Sequence, residues 1–215
     1  MMLYDCAKLA ERDRGLTAAV EAVKRGDLVV FPTDTVYGIG CDAFKSWSVG
    51  TLLRAKSRGR DVPPPVMVGS RQMLDGLVYG LPSAARDLVE AFWPGPLTIL
   101  VEHAPSLDWD LGDTDGVIQV RMPLHPVALE LIRETGPMAV SSANKPSDPA
   151  ALTADEARTQ FGYEVSVYLE AGAAPEQLTS TIVDCTNATP KILRVGALSL
   201  AQLREVAPDV AEEDE

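Results

Sequence analysis

The chain has 215 residues, 46% of them hydrophobic and 23% charged, enough apolar content for one domain with a substantial core. Its net charge of −12 argues against a broad phosphate-binding surface, because duplex nucleic acid demands a positive field. Cys6, Cys41 and Cys185 are too scattered for a metal site and read as reduced thiols, and with only His103 and His125 a zinc centre has almost no ligands.

In chain order, no apolar run is long enough to span a bilayer, and the charged stretch Glu11 to Arg14 follows the N-terminus too soon for a signal peptide. A cytoplasmic protein is the expectation. Leu16 to Arg25 carries apolar residues at helical spacing (Leu16, Ala19, Val20, Val23) and stops at Gly26. Asp27 to Phe31 predicts a buried strand halted by Pro32, and Thr33 to Gly40 a stretch of turns. Trp47 to Lys56 predicts a short helix that runs into the basic stretch Lys56-Ser57-Arg58-Gly59-Arg60. Pro63-Pro64-Pro65 introduces a strand at Val66 to Val68. Arg71 to Leu77 and Ser83 to Phe92 read as helices, and Trp93-Pro94-Gly95-Pro96 as a rigid turn before a strand at Leu97 to Val101.

Val117 to Arg121 predicts a strand with Arg121 at its end, followed by a helix from His125 to Glu134 closed by Gly136. Met138 to Val140 is a brief strand opening onto Ser141-Ser142-Ala143-Asn144. After a helix from Thr153 to Phe161 come strands at Val165 to Leu169, Thr181 to Asp184 and Lys191 to Val195, then a helix at Leu200 to Val206. This alternation is an α/β or α+β pattern: one single domain over residues 1–208, built on a twisted mixed sheet with flanking helices. Residues 209–215 are acidic and are expected to form a disordered tail.

Four constellations can carry chemistry. Thr33 and Thr35 set two hydroxyls one residue apart directly after a buried strand, where they serve either a crevice at the sheet's end or an ordinary capped turn. Lys56 and Arg58 fall on one face if their segment is extended, and would then clamp a polyphosphate; a solvated basic patch is the alternative. Ser142 and Asn144 offer a hydroxyl and a carboxamide after an apolar strand, suited to a ribose or a phosphate or simply to a turn. Arg121 and Arg194 accompany apolar strands, so each needs either a bound anion or an internal carboxylate. No Walker A motif, G-x-G-x-x-G or nucleophile elbow is present, so a nucleotide here is held by side-chain cations and hydroxyls, with Mg2+ arriving on it.

Taken in order, several segments resemble the YrdC family of threonylcarbamoyl-AMP synthases. They are Phe31 to Gly40 (FPTDTVYGIG), Lys56-Ser57-Arg58, Trp93 to Thr98 (WPGPLT), Val120 to Pro123 with His125-Pro126, Ser142-Ala143-Asn144, Ser180 to Asp184 (STIVD) and Ile192-Leu193-Arg194. The likeness runs from about Gly15 to Val206 and is to the short, single-domain form. It implies a YrdC-like fold with a large concave cavity, and a nucleotidyltransferase that joins L-threonine, bicarbonate and ATP into threonylcarbamoyl-AMP and pyrophosphate. This is the first step of threonylcarbamoyl-adenosine modification of tRNA, and the product passes to a tRNA threonylcarbamoyl-transferase complex. By the same resemblance Lys56 and Arg58 act in catalysis, and Lys56, Arg58, Val117, Ser142, Asn144 and Arg194 meet ATP. Thr33, Thr35, Arg121, Val140 and Ser180 meet L-threonine, and Mg2+ comes with ATP, without protein ligands. Met67 stands where many relatives carry histidine, Thr179 where they carry glutamate, Ser141 where they carry proline, and Val195 where they carry proline after the arginine. These departures keep a paralogue without the activity as the alternative. Weak tRNA or double-stranded RNA binding is the other alternative, disfavoured by the acidic balance.

Overall fold

Ten short strands, most of them burying apolar side chains on both faces, pair into one sheet. They are β1 (Met2–Asp5), β2 (Val29–Phe31), β3 (Gly38–Asp42), β4 (Val66–Met67), β5 (Leu97–Glu102), β6 (Val117–Arg121), β7 (Met138–Ser142), β8 (Val167–Glu170), β9 (Thr181–Asp184) and β10 (Lys191–Arg194). In this computed structural model, which describes residues 1–175 and 178–212, their order is β1-β8-β2-β3-β7-β4-β6-β5-β9-β10. The sheet is mixed. The pairs β1/β8, β8/β2, β4/β6 and β5/β9 are parallel, and the remaining five are antiparallel.

Period-two alternation sorts side chains between two cores. Val29, Phe31, Met138, Val140, Val167 and Leu169 pack beneath α1 (Leu9–Arg25) and α5 (Pro126–Thr135). Their neighbours Val30, Ala139 and Tyr168 join the larger cluster on the other face. That face is covered by α2 (Ser46–Ala55), α3 (Arg71–Asp75), α4 (Ser83–Phe92), α6 (Ala154–Phe161) and α7 (Leu200–Val206). Burying these cores is the dominant stabilising term, at about 25 cal/mol per Å² of apolar surface.

Three differences from the sequence reading have physical reasons. The stretch Thr33 to Gly40 contains the start of β3, because Gly38 and Gly40 are there for close approach and not for turning. A Cβ at Gly40 would lie 3.0 Å from both the Ala139 carbonyl oxygen and Val140, with the Phe31 ring at 3.3 Å. The strand β1, half exposed and half polar, carries little alternation, and α1 begins at Leu9 on a polar turn. The expected tail is packed as far as Ala211: Val210 is buried, and Ala211 exchanges main-chain bonds of 2.9 Å with Pro190 and Ile192. Residues 213–215 lie outside the described residues. Among the described residues no helix is long and apolar enough to cross a membrane, and all three cysteines are buried and free.

Candidate active site

The strand ends converge on a cavity of about 280 Å³. Thr33 and Thr35 reach it from the loop after β2, Arg58 from the segment after α2, and Met67 from β4. Thr98 enters from β5, Gln119 and Arg121 from β6, and Val140, Ser141 and Ser142 from β7. Thr179 and Ser180 lead into β9, and Arg194 ends β10.

Arg121 is wired into this wall. Its side chain is 6% exposed and lies 2.7 Å from Asp34, whose side chain is 12% exposed. Nε donates to the Gly95 carbonyl at 3.1 Å, Nη1 to Thr35 at 3.0 Å and Nη2 to Asp34 Oδ1. The Trp93–Pro94 peptide is cis, and Gly95 is held in place by its own amide on the Met122 carbonyl. Asp34 Oδ1 also accepts from the Leu124 amide at 2.9 Å, while Oδ2 is buried without a partner among the described residues. Burial pulls the Arg121 pKa down and Asp34 opposes it, so the pair is an internal one that leaves little net charge. Of the five guanidinium N–H groups, two remain open.

The hydroxyls beside it have a fixed polarity. Thr33 donates its one proton to the Val36 carbonyl at 2.6 Å, so in the 3.1 Å contact between the two threonines Thr35 is the donor. Thr33 also accepts from the Thr35 amide, which fills its remaining lone pair. Thr33 therefore lines the cavity with nothing left to offer. Thr35, which accepts from Arg121, keeps a single lone pair, and can only accept from a ligand.

The part of the cavity lined by β9 and β10 is open. Arg194 donates Nε and Nη2 to the Ser180 carbonyl at 3.1 and 2.8 Å, and Nη2 to the Ser180 hydroxyl at 3.2 Å, leaving Nη1 uncommitted. Ser180 in turn pairs with Thr98 at 2.8 Å. Arg58 is exposed, and neither it nor Arg194 has a carboxylate partner among the described residues.

Lys56 and Asn144 are placed differently from the sequence reading. Lys56 caps α2 in helical conformation and Ser57 turns at φ +50°, so Lys56 and Arg58 diverge and do not share an extended face. Lys56 is buried behind the cavity wall, donating to the Ser142 carbonyl at 2.7 Å, to Asn144 Oδ1 at 3.1 Å and to the Asn144 carbonyl. Asn144 spends its amide group on the Lys145 and Asp148 carbonyls, and its Oδ1 also accepts from Ser142 at 2.6 Å. Both residues thus shape the turn that presents Ser142. Burial, with Arg58 and Lys145 nearby, pushes the Lys56 ammonium down to about 8. Val117 lines a neighbouring hollow of about 370 Å³ with Asp115 and Asp184, which shares Pro63 and Gln119 with the main cavity.

The sequence reading missed Gln119 and Thr98. Both were recoverable from strand period: Gln119 lies two residues before Arg121 on the same face of β6, and Thr98 pairs in register with Arg121. Among the described residues, no group of three or more His, Cys, Asp or Glu is arranged to hold a metal ion.

This architecture has relatives. The family described as Telomere recombination, spanning the Sua5, YciO and YrdC proteins, matches residues 21–196. A Mycobacterium tuberculosis protein named "Putative threonylcarbamoyl-AMP synthase" is 57% identical over 203 residues, 94% of each chain. The threonylcarbamoyl-AMP synthase of Pyrococcus abyssi is 32% identical over 189 residues, 87% of this chain and 56% of that one. The P. abyssi Sua5 structure complexed with L-threonine superposes with a TM-score of 0.90 at 30% identity, covering 99% of this chain and 63% of that one. The chain therefore spans about three-fifths of the archaeal protein. Escherichia coli YciO, at 22% identity and a TM-score of 0.80, shares the fold. On the profile match over most of its length and on these identities, the chain belongs to the Sua5/YciO/YrdC family.

Proposed function

We propose that this protein is an L-threonylcarbamoyladenylate synthase, a nucleotidyltransferase that makes threonylcarbamoyl-AMP for tRNA modification. The observation that carries the reading is the open wall: Arg58 and Arg194 face one cavity, without carboxylate partners among the described residues, in a chain of net charge −12. Such cations serve reactants that are themselves anions. Its 57% identity to the mycobacterial relative over nearly the whole chain supports the same reading.

In the proposed reaction the threonine amine and bicarbonate form a carbamate with loss of water. A carbamate oxygen then attacks the α-phosphorus of ATP; the new P–O bond forms as the bond to the β-phosphate oxygen breaks, and pyrophosphate leaves. Displacement of this kind needs positioning and charge neutralisation, and no covalent nucleophile. The two open N–H groups of Arg121 suit the threonine carboxylate bidentately. The remaining lone pair of Thr35 suits the amine, which has protons to donate. Arg58 and Arg194 take the phosphates, with the buried ammonium of Lys56 adding charge through the wall; the Ser142 hydroxyl, whose proton goes to Asn144 Oδ1, suits a ribose hydroxyl that can donate to it. Magnesium fits as a companion of the triphosphate, whose oxygens supply the hard ligands it prefers; bound there it would neutralise phosphate charge.

Purified protein given threonine, bicarbonate and Mg-ATP should release pyrophosphate only when all three are present. Pyrophosphate release indifferent to threonine would overturn the reading in favour of a paralogue with another acceptor.

A further inference from the structure

The basic stretch after α2 carries three alternate cations, and the third, Arg60, takes no part in the site described above. Its guanidinium forks onto Asp110, Nη1 to Oδ2 at 2.9 Å and Nη2 to Oδ1 at 2.8 Å, while Nε reaches Asp113 at 3.3 Å. The main chain joins in, since the Asp113 amide donates to the Arg60 carbonyl at 2.8 Å. Gly112, at φ +109°, makes this approach feasible; a Cβ there would sit 2.6 Å from the Arg60 carbonyl oxygen. The Gly112 amide also donates to Asp110 Oδ1 at 3.2 Å, which orients the carboxylate toward Arg60.

Both sides of this contact matter. The 110–113 loop is anchored by the buried side chain of Leu111 and by Trp109, which stacks on Phe44 at 5.4 Å. On the other side is the span from Ser57 to Pro64, which carries Arg58. Among the described residues, Arg60 is the one residue of that span whose side chain makes a hydrogen bond. The near end of the span is tied by Lys56 and by the Ser57 and Arg58 amides, which donate to the Arg54 and Leu53 carbonyls at 2.9 Å; its far end is tied by the Pro65 carbonyl, which accepts from Val140 at 2.9 Å. The Arg58 main chain is thus held at its amide, and the residues from 59 to 64 that follow it set where its side chain is directed.

We propose that Arg60 is a positioning residue whose clasp on Asp110 and Asp113 fixes the span bearing Arg58, and so sets how well the cavity holds a nucleotide's phosphates. This rests on the cavity being a nucleotide site, as argued above. Exposed ion pairs contribute little to global stability, but a bidentate fork backed by a main-chain bond restricts the local span it closes.

The test is calorimetric titration of Mg-ATP into the full chain, without threonine. Arg60→Ala and Asp110→Ala should each weaken ATP binding about fivefold, with threonine affinity unchanged within about twofold and Tm within about 2 °C. Asp110→Ala decides between mechanisms by its sign. Acting through the clasp, it weakens ATP binding although it removes a negative charge. Were Arg60 a direct phosphate ligand, freeing it from Asp110 would tighten binding, and the proposal would fall. Exchanging the pair, Arg60→Asp with Asp110→Arg, should recover most of the affinity; no recovery counts against the clasp. Unaltered protein that binds ATP alongside variants that bind it equally well sinks the clasp alone. Failure of the unaltered protein to bind ATP sinks the site's reading and the clasp with it.

Discussion

Arg121 and Arg194 enter one cavity from the same sheet, and they are held by different kinds of partner. Arg121 meets a carboxylate, a carbonyl and a hydroxyl in a nearly closed setting; among the described residues Arg194 meets only the oxygens of Ser180. The first arrangement cancels charge and fixes direction. The second leaves charge in place for a ligand. A pocket that must hold both an amino acid and a triphosphate can use the two in combination, orientation on one wall and attraction on the other.

The largest expected effect comes from breaking the paired wall. Arg121→Met strands Asp34, whose Oδ2 already lacks a partner among the described residues, and should cost about 3–5 kcal/mol in urea unfolding, the penalty of an uncompensated buried charge. Adding Asp34→Asn removes that charge and keeps an acceptor for the Leu124 amide, so the double variant should regain most of the stability and none of the activity. A double variant as unstable as the single would mean that Arg121 acts by packing, and the contrast between the walls would lose its electrostatic basis.

The open wall should behave oppositely. Arg58→Ala leaves no buried charge unpaired, so Tm should shift by no more than about 2 °C, while kcat/KM for ATP falls about a hundredfold, the scale of losing a donor to a developing anion. A large loss of Tm would place Arg58 in the fold's support.

Lys56 connects the walls to pH. Its folded pKa of about 8 lies below its ordinary 10.5, so the fold disfavours the charged form. Between these values the unfolded chain binds the extra proton, and stability from this group rises with pH. Phosphate binding has the opposite preference and is favoured by the ammonium. ATP affinity should therefore be flat below pH 8 and fall above it by up to about tenfold per unit, while the protein itself does not become less stable on account of Lys56. Deprotonation also leaves two N–H donors for three acceptors, which loosens the turn presenting Ser142. Titrations of ATP from pH 7 to 9.5 check this; an affinity independent of pH would remove Lys56 from the electrostatics.

How much of this was legible in the sequence follows from the range of each interaction. Strands and helices with strong periodicity, such as Ser83–Phe92, Val117–Arg121 and Thr181–Asp184, appear where the pattern puts them. The strand β3 did not, because Gly38 and Gly40 signal turns locally and are explained only by Phe31 and Val140 lying against them. The site divides in the same way. Residue types and motif order pointed to Arg58, Arg121, Ser142, Ser180 and Arg194, all of which line the cavity. That Lys56 and Asn144 support the wall from behind depends on the φ of Ser57 and on a contact 88 residues apart, neither of which spacing encodes.

The smallest predicted effect tests the polarity of the threonine pair. Thr33→Val keeps shape and removes a hydroxyl that is already saturated, leaving the Val36 carbonyl and the Thr35 amide without their partner. That should cost about 1–2 kcal/mol of stability, with the KM for threonine moving less than about threefold. Thr35→Val deletes the single lone pair open to a ligand, so KM for threonine should rise about tenfold, with a smaller stability loss than its neighbour's because its one intramolecular acceptor role is to Arg121. If the two variants exchanged these signatures, the proton of Thr33 would have to point into the cavity, and the amine would have to be recognised by a donor. A donor there would select against an ammonium and in favour of a carbonyl or carboxylate, so the exchange would reverse which end of the amino acid faces the β2–β3 loop.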